Sequence, residues 1–227
     1  MWFETIKRWL GKRRPVNAGM EGVRFIPARE NAHGVDVWDC AVFTHSMIST
    51  TSDANVASQF ARLRASDGRE HGNQRPPSAS VTDCRLAYPV TRTFTDGPLF
   101  KADAMEDKWD IYFVAPHIYF ARSWTGQLIY RAEAHFEGQR LIITRIECPA
   151  VDDSESGRRT IDYLVKSHVL GGTALHPLSG DPRADPAQIA AASFSVFGRR
   201  CAVGTYADTT IIPWTTASGQ PAARSAV

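Results

Sequence analysis

The sequence predicts an α+β fold, an antiparallel β-meander of at least four strands packed with C-terminal helices. Three observations lead there. Residues 105–147 hold four short runs rich in β-branched and aromatic residues, several of them alternating apolar with polar, which is the pattern of half-buried strands. The reversals between them, at Ala115-Pro116, Thr125-Gly126 and Glu137-Gly138, are too short to join anything but antiparallel neighbours. Two segments of helical period, each opened by an aspartate, follow the meander.

Residues 1–14 make the first predicted element, an amphipathic N-terminal helix. Trp2, Phe3, Ile6, Trp9 and Leu10 share one arc with the charges opposite, and Gly11 can stop the helix. Tryptophans beside cations suit weak peripheral membrane contact. Docking on the chain's own domain or on a partner competes with that reading, because so short a helix buries too little for stable anchoring.

Residues 15–214 read as a single α+β domain. Val23–Ile26 and Val35–Phe43 have strand patterns. Thr50-Thr-Ser-Asp53 stacks candidate N-caps before a helix over 55–64, in which Val56, Phe60 and Leu63 share a face. Residues 65–80 are almost wholly polar, glycine or proline, and are expected to form a mobile loop. Cys84–Val90 is a strand that enters the meander through the turn at Asp96-Gly97-Pro98.

Within the meander, a two-residue loop at Ala115-Pro116 sets Trp109 opposite Arg122, Ile111 opposite Phe120 and Phe113 opposite Ile118. A helix capped near Asp152-Asp153 runs to Gly171-Gly172, and Asp185-Pro186 opens the last helix. Cys201–Tyr206 is a final strand, and residues 215–227 read as a disordered tail.

The 227 residues are 43% apolar and 22% charged, an ordinary globular composition with length enough for a sizeable core. Lys7, Arg8, Lys12, Arg13 and Arg14 against Glu4 gather positive charge in residues 1–14, within a net charge of +2. The body is therefore near neutral, and with no basic stripe no nucleic-acid partner is expected. Cys40, Cys84, Cys148 and Cys201 form no CxxC pair. They read as reduced, mostly buried thiols in a bacterial-type cytoplasm. Without a P-loop, GxGxxG, HExxH or nucleophile elbow, no cofactor and no metal are expected.

The densest cluster of chemistry-bearing residues is Glu106, Asp107, Lys108, Trp109, Arg122, Ser123, Trp124 and Thr125, which the hairpin register gathers at one end of the meander. An arginine fork fits phosphate or carboxylate, and tryptophan offers a face to a base. As a ligand site, Arg122 holds an anion, Trp109 and Trp124 stack, and Lys108 and Ser123 assist. The structural alternative pairs Arg122 with Glu106 or Asp107 and leaves both tryptophans to the core. For catalysis only Glu106 and Asp107 offer themselves, as a general base. Gly198-Arg199-Arg200 reads either as a phosphate clamp or as solvated charge, and His168 as a helix cap or core residue.

The runs MEDKWDIYF…IYFARSWTGQLIYRAE, IDYLVKSHVLGG…HPL and SFSVFGRRCAVGTYADT resemble a family of uncharacterised bacterial proteins that carry a DKWxI strand followed by an RSWTG turn. The resemblance covers about residues 95–210. That signature also occurs beside ADP-ribosylglycohydrolase domains, so the resemblance implies ADP-ribose or NAD-type biology. The expected function is binding, either of an anionic nucleotide-like ligand or of a partner protein as an immunity or accessory factor. The alternative is a hydrolase of an ADP-ribose-type bond.

Overall fold

The computed structural model describes residues 22–150 and 152–222. The segment 1–14, with Trp2, Phe3 and Trp9, lies outside the described residues. The meander is present with the register read from the sequence. β-strands Trp109–Val114 and His117–Arg122 pair Trp109 with Arg122, Ile111 with Phe120 and Phe113 with Ile118. Leu128–Glu137 and Arg140–Pro149 extend it, Ala79–Pro89 and Gly97–Phe100 add the two outer strands, and all five pairings are antiparallel.

Numbered along the chain, the strands are β1 (Arg24–Ile26), β2 (Val37–Asp39), β3 (Ala79–Pro89), β4 (Gly97–Phe100), β5 (Trp109–Val114), β6 (His117–Arg122), β7 (Leu128–Glu137), β8 (Arg140–Pro149), β9 (His176–Pro177) and β10 (Val203–Thr205). The large sheet runs β3-β8-β7-β6-β5-β4, and a small one runs β1-β2-β10-β9, with β9 parallel to β10. The helices are α1 (Ala41–Ser46), α2 (Ala54–Leu63), α3 (Ser154–Leu164), continued by a π-helical turn over Val165–Val169, and α4 (Pro186–Phe197).

Alternation along the strands explains how the core is built. Trp109, Ile111, Phe113, Ile118 and Phe120 point to one face, where they meet Ile161, Leu164 and Val165 around α3 and Ala190, Phe194 and Phe197 of α4. The helices begin where their caps stand. Asp53 accepts from the Asn55 and Val56 N–H groups, Asp153 from Ser156 and Asp185 from Ala187. Among the described residues no helix is long and apolar enough to cross a membrane. The four cysteines are free thiols, three of them buried.

The structure departs from the sequence reading in one strand and adds detail at two further places. The strand expected over Val35–Phe43 stops at Asp39, because the Asp39 carboxylate accepts the Ala41 N–H at 3.1 Å and turns the chain into α1. The loop 65–80, expected to be mobile, is laid on the outer face of the large sheet, and its last residues join β3. Gly68 sits where a Cβ would lie 2.2 Å from the Tyr112 ring, and buried His71 lies 5.5 Å from that ring and 6.2 Å from Tyr119. One glycine and one imidazole pack this loop, so no apolar period announced it. Finally, the described part of the tail read from residue 215, residues 215–222, lies against the domain. Thr215 bridges Thr173 and Pro221, and the Ala222 N–H reaches the Trp214 carbonyl at 2.9 Å.

Candidate functional site

The signature residues do gather at one end of the meander, where Asp107, Lys108, Trp109, Arg122 and Ser123 are buried, Glu106 and Trp124 are half-buried, and Thr125 stays exposed. Arg122 shares the core face with its cross-strand partner Trp109, so its charge needs acceptors there. The end of α4 supplies them. A helix leaves its last carbonyls without intrahelical donors and carries partial negative charge at that end. Arg122 donates to the Ser195 and Val196 carbonyls at 2.8 and 2.9 Å, and its guanidinium lies 4.7 Å from the centre of the Trp109 ring. The Trp109 indole N–H reaches the same Val196 carbonyl at 2.7 Å. Burial lowers the Arg122 pKa to about 10.

Lys108 is held as tightly. Its Nζ donates to Ser49 Oγ at 2.7 Å and to the Met105 carbonyl at 2.8 Å, between the rings of Trp124 and Phe194 at 4.6 and 4.9 Å. Burial first, and the Arg122 charge second, bring its pKa down to about 8. The Trp124 indole donates to the Met105 carbonyl, and Ser123 Oγ to the Asp107 carbonyl. Of the two acids, Glu106 accepts the Ser49 N–H at 2.8 Å, and Asp107 is gripped by Arg199. Arg122 thus answers the end of α4 where the structural alternative had given it a carboxylate. Sequence reasoning missed the pairing of Arg199 with Asp107, the part played by Ser49, and that helix end, all distant along the chain. Arg199, half exposed, holds its guanidinium on the Asp107 and Asp103 carboxylates. His168 is a core residue, 4.8 Å from Phe100 and bonded to Ser167 Oγ at 2.7 Å.

Two recesses lie elsewhere. The first, of about 390 Å³, opens on the outer face of the large sheet between Arg75, His117, Arg131, Glu133, Arg145 and Glu147, with Val81 at its edge. Its floor is a cross-strand ladder of alternating charge, Arg131 opposite Glu147 and Glu133 opposite Arg145. Arg75 enters from the loop laid over the sheet and donates to Glu147 at 2.9 Å. Burial opposes the Glu147 charge, but the hydrogen bonds from Arg75 and Arg131 overcome it and hold the carboxyl below its usual range. His117 is depressed first by burial and then by the Arg131 charge. Arg75 and Arg145 remain 55% and 50% exposed while paired, so both guanidinium groups reach solvent at the rim.

The second recess, of about 490 Å³, lies beside the small sheet, with Phe25, Trp38, Tyr206 and Asp36 on its walls. Among the described residues no three His, Cys, Asp or Glu side chains converge as a metal site needs. No family model matches the chain, and no curated protein or solved structure matches it.

Proposed function

We propose that this protein binds an anionic, nucleotide-like ligand of the ADP-ribose or NAD class, and that it does so in the arginine basin on the outer face of the large sheet. The observation that carries the proposal is the meeting of Arg75, Arg131, Arg145 and His117 around one recess, with the two outer guanidinium groups half exposed. Arginine forks match phosphate oxygens in pairs. An anion there also offsets the Arg131 charge, which adds to burial in depressing His117. The ligand class rests on the resemblance of the DKWxI and RSWTG runs, whose own side chains serve as scaffold in this reading. The hydrolase alternative has less support, since Glu106 and Asp107 both carry structural hydrogen bonds. A partner-protein role would rest on residues 1–14.

The test is thermal unfolding at low salt with ADP-ribose, NAD, AMP and inorganic phosphate. A ligand at a hundredfold excess over its Kd stabilises the native state by about 2.7 kcal/mol, an upward shift of roughly 5 °C or more in a chain of this size. Arg75→Ala and Arg145→Ala, both at the half-exposed rim, should abolish the shift without lowering the midpoint of the unliganded protein much. No shift with any of the four ligands, or a shift untouched by both substitutions, defeats the proposal.

A further inference from the structure

The second recess is unlike the first in every chemical respect. Phe25 and Trp38 face each other across the β1–β2 pair with ring centres 5.4 Å apart and planes tilted by 59°. Tyr206 adds a third aromatic wall and Asp36 a carboxylate, around about 490 Å³. That volume falls within the roughly 300–1,000 Å³ of small-molecule sites. Aromatic faces are electron-rich and attract cations, and they do so more strongly where water is excluded.

The Asp36 carboxylate is oriented by the Ala28 N–H, which donates to Oδ1 at 2.8 Å. Among the described residues its Oδ2 has no hydrogen-bond partner. The nearby cations Arg24, Arg29, Arg183 and Arg159 do not line the recess; the first three pair with Asp39, Glu30 and Asp181, and Arg159 donates to the Thr205 and Ala207 carbonyls behind the wall.

The backbone narrows the choice of cation. The Val35 carbonyl already accepts from Asn31 at 2.9 Å, and the Asp36 carbonyl from the Thr205 hydroxyl at 2.8 Å. The Thr205 carbonyl accepts from Arg159 and Leu178, and the Ala207 carbonyl from Arg159 at 2.7 Å. A guanidinium or primary ammonium would bring several N–H donors to a space where, beyond the Asp36 carboxylate, these carbonyls are already engaged, and each donor taken out of water and left unpaired is costly. A fully methylated ammonium carries the same charge and no donor.

We propose that the recess walled by Phe25, Trp38, Tyr206 and Asp36 is a binding site for a small quaternary ammonium compound. The site is distinct from the arginine basin and takes the opposite charge. The rings hold the methylated head, and the Asp36 carboxylate supplies the counter-charge.

The experiment is a titration of the whole protein with choline at constant ionic strength, followed by the indole N–H resonance that Trp38→Phe removes. 3,3-Dimethylbutan-1-ol, the uncharged isostere of choline, and free arginine serve as comparators. Choline should bind saturably, with the alcohol and arginine each weaker by about fivefold or more. Asp36→Asn keeps the acceptor for the Ala28 N–H while removing the charge, and Phe25→Leu alters a side chain already 46% exposed. Both should fold normally and weaken choline by about fivefold to thirtyfold. Equal binding of the alcohol would show an apolar recess only, tighter binding of arginine a donor-reading site, and no saturable binding of choline no site at all. Each of these overturns the proposal.

Discussion

Arg199, in the turn after α4, grips Asp107 through two hydrogen bonds, from Nε to Oδ1 at 2.9 Å and from Nη2 to Oδ2 at 2.8 Å. Its guanidinium also reaches Asp103. This fork fastens the segment leading into β5 to the end of α4, close to where Arg122 and Trp109 hold the same helix end.

Removing that fork isolates an acid. Asp107 is 2% exposed, and burial, then Asp103, already raise its pKa. Arg199→Ala should lower stability by about 1–3 kcal/mol, less than for a fully buried pair because Arg199 is half exposed. A raised carboxyl pKa opposes folding above that pKa and ceases to matter below the unfolded value. The variant's deficit should therefore shrink as pH falls through the carboxylate range. Urea unfolding at two pH values measures this, and a wild-type midpoint for Arg199→Ala at neutral pH would contradict it.

Arg122→Ala removes two charge-assisted hydrogen bonds to the last carbonyls of α4 and the cation resting on Trp109. A loss of about 3 kcal/mol is expected, and Arg122→Lys should recover only part of it, since one ammonium cannot reproduce the fork. Chemical denaturation decides the matter. An Arg122→Ala protein of wild-type stability that no longer bound ADP-ribose would return the ligand site to the signature cluster.

Gly198 closes α4 at φ +70°, and a Cβ built on it would lie 2.0 Å from the Glu106 carbonyl oxygen. A side chain would need both a strained backbone and displacement of the segment that holds Glu106, Asp107 and Lys108. Gly198→Ala should cost about 3 kcal/mol or more, whereas Gly138→Ala, with φ +58° and nothing near its Cβ, should cost about 1–2 kcal/mol. Similar melting temperatures for the two variants would remove the steric argument.

Buried histidines make the fold acid-sensitive. Burial holds His176 at about pKa 3, and burial together with Arg200 holds His168 well below its ordinary value. Between the folded pKa and about 6.5 the unfolded chain binds the extra protons, so stability falls as pH falls. From pH 7.5 to 5.5 His176 should cost about 1 kcal/mol, and His168 should add a loss of the same sign. His176→Leu should flatten the slope by one such increment, read from urea midpoints across that range, and an unchanged slope would refute the assignment.

The meander was legible in the residues because strand alternation and turn chemistry are local. A two-residue loop at Ala115-Pro116 leaves Trp109 little choice but Arg122 as its neighbour. Asp53, Asp153 and Asp185 announced their helices for the same reason, since a cap acts within three residues. The sequence by itself thus determined the α+β class, the order of the meander and the gathering of the signature residues.

What those side chains face is decided by partners brought from afar. Ser195 and Val196 meet Arg122 only when α4 packs on the sheet, and Arg199 meets Asp107 across 92 residues of chain. Both recesses have the same origin. Arg75 joins the β7–β8 ladder through a loop with no apolar period, and Phe25, Trp38 and Tyr206 share a wall because β10 pairs with β2. Tertiary structure alone selects such long-range neighbours, because burying apolar surface fixes which elements pack and the buried charges then take the acceptors that packing brings within reach.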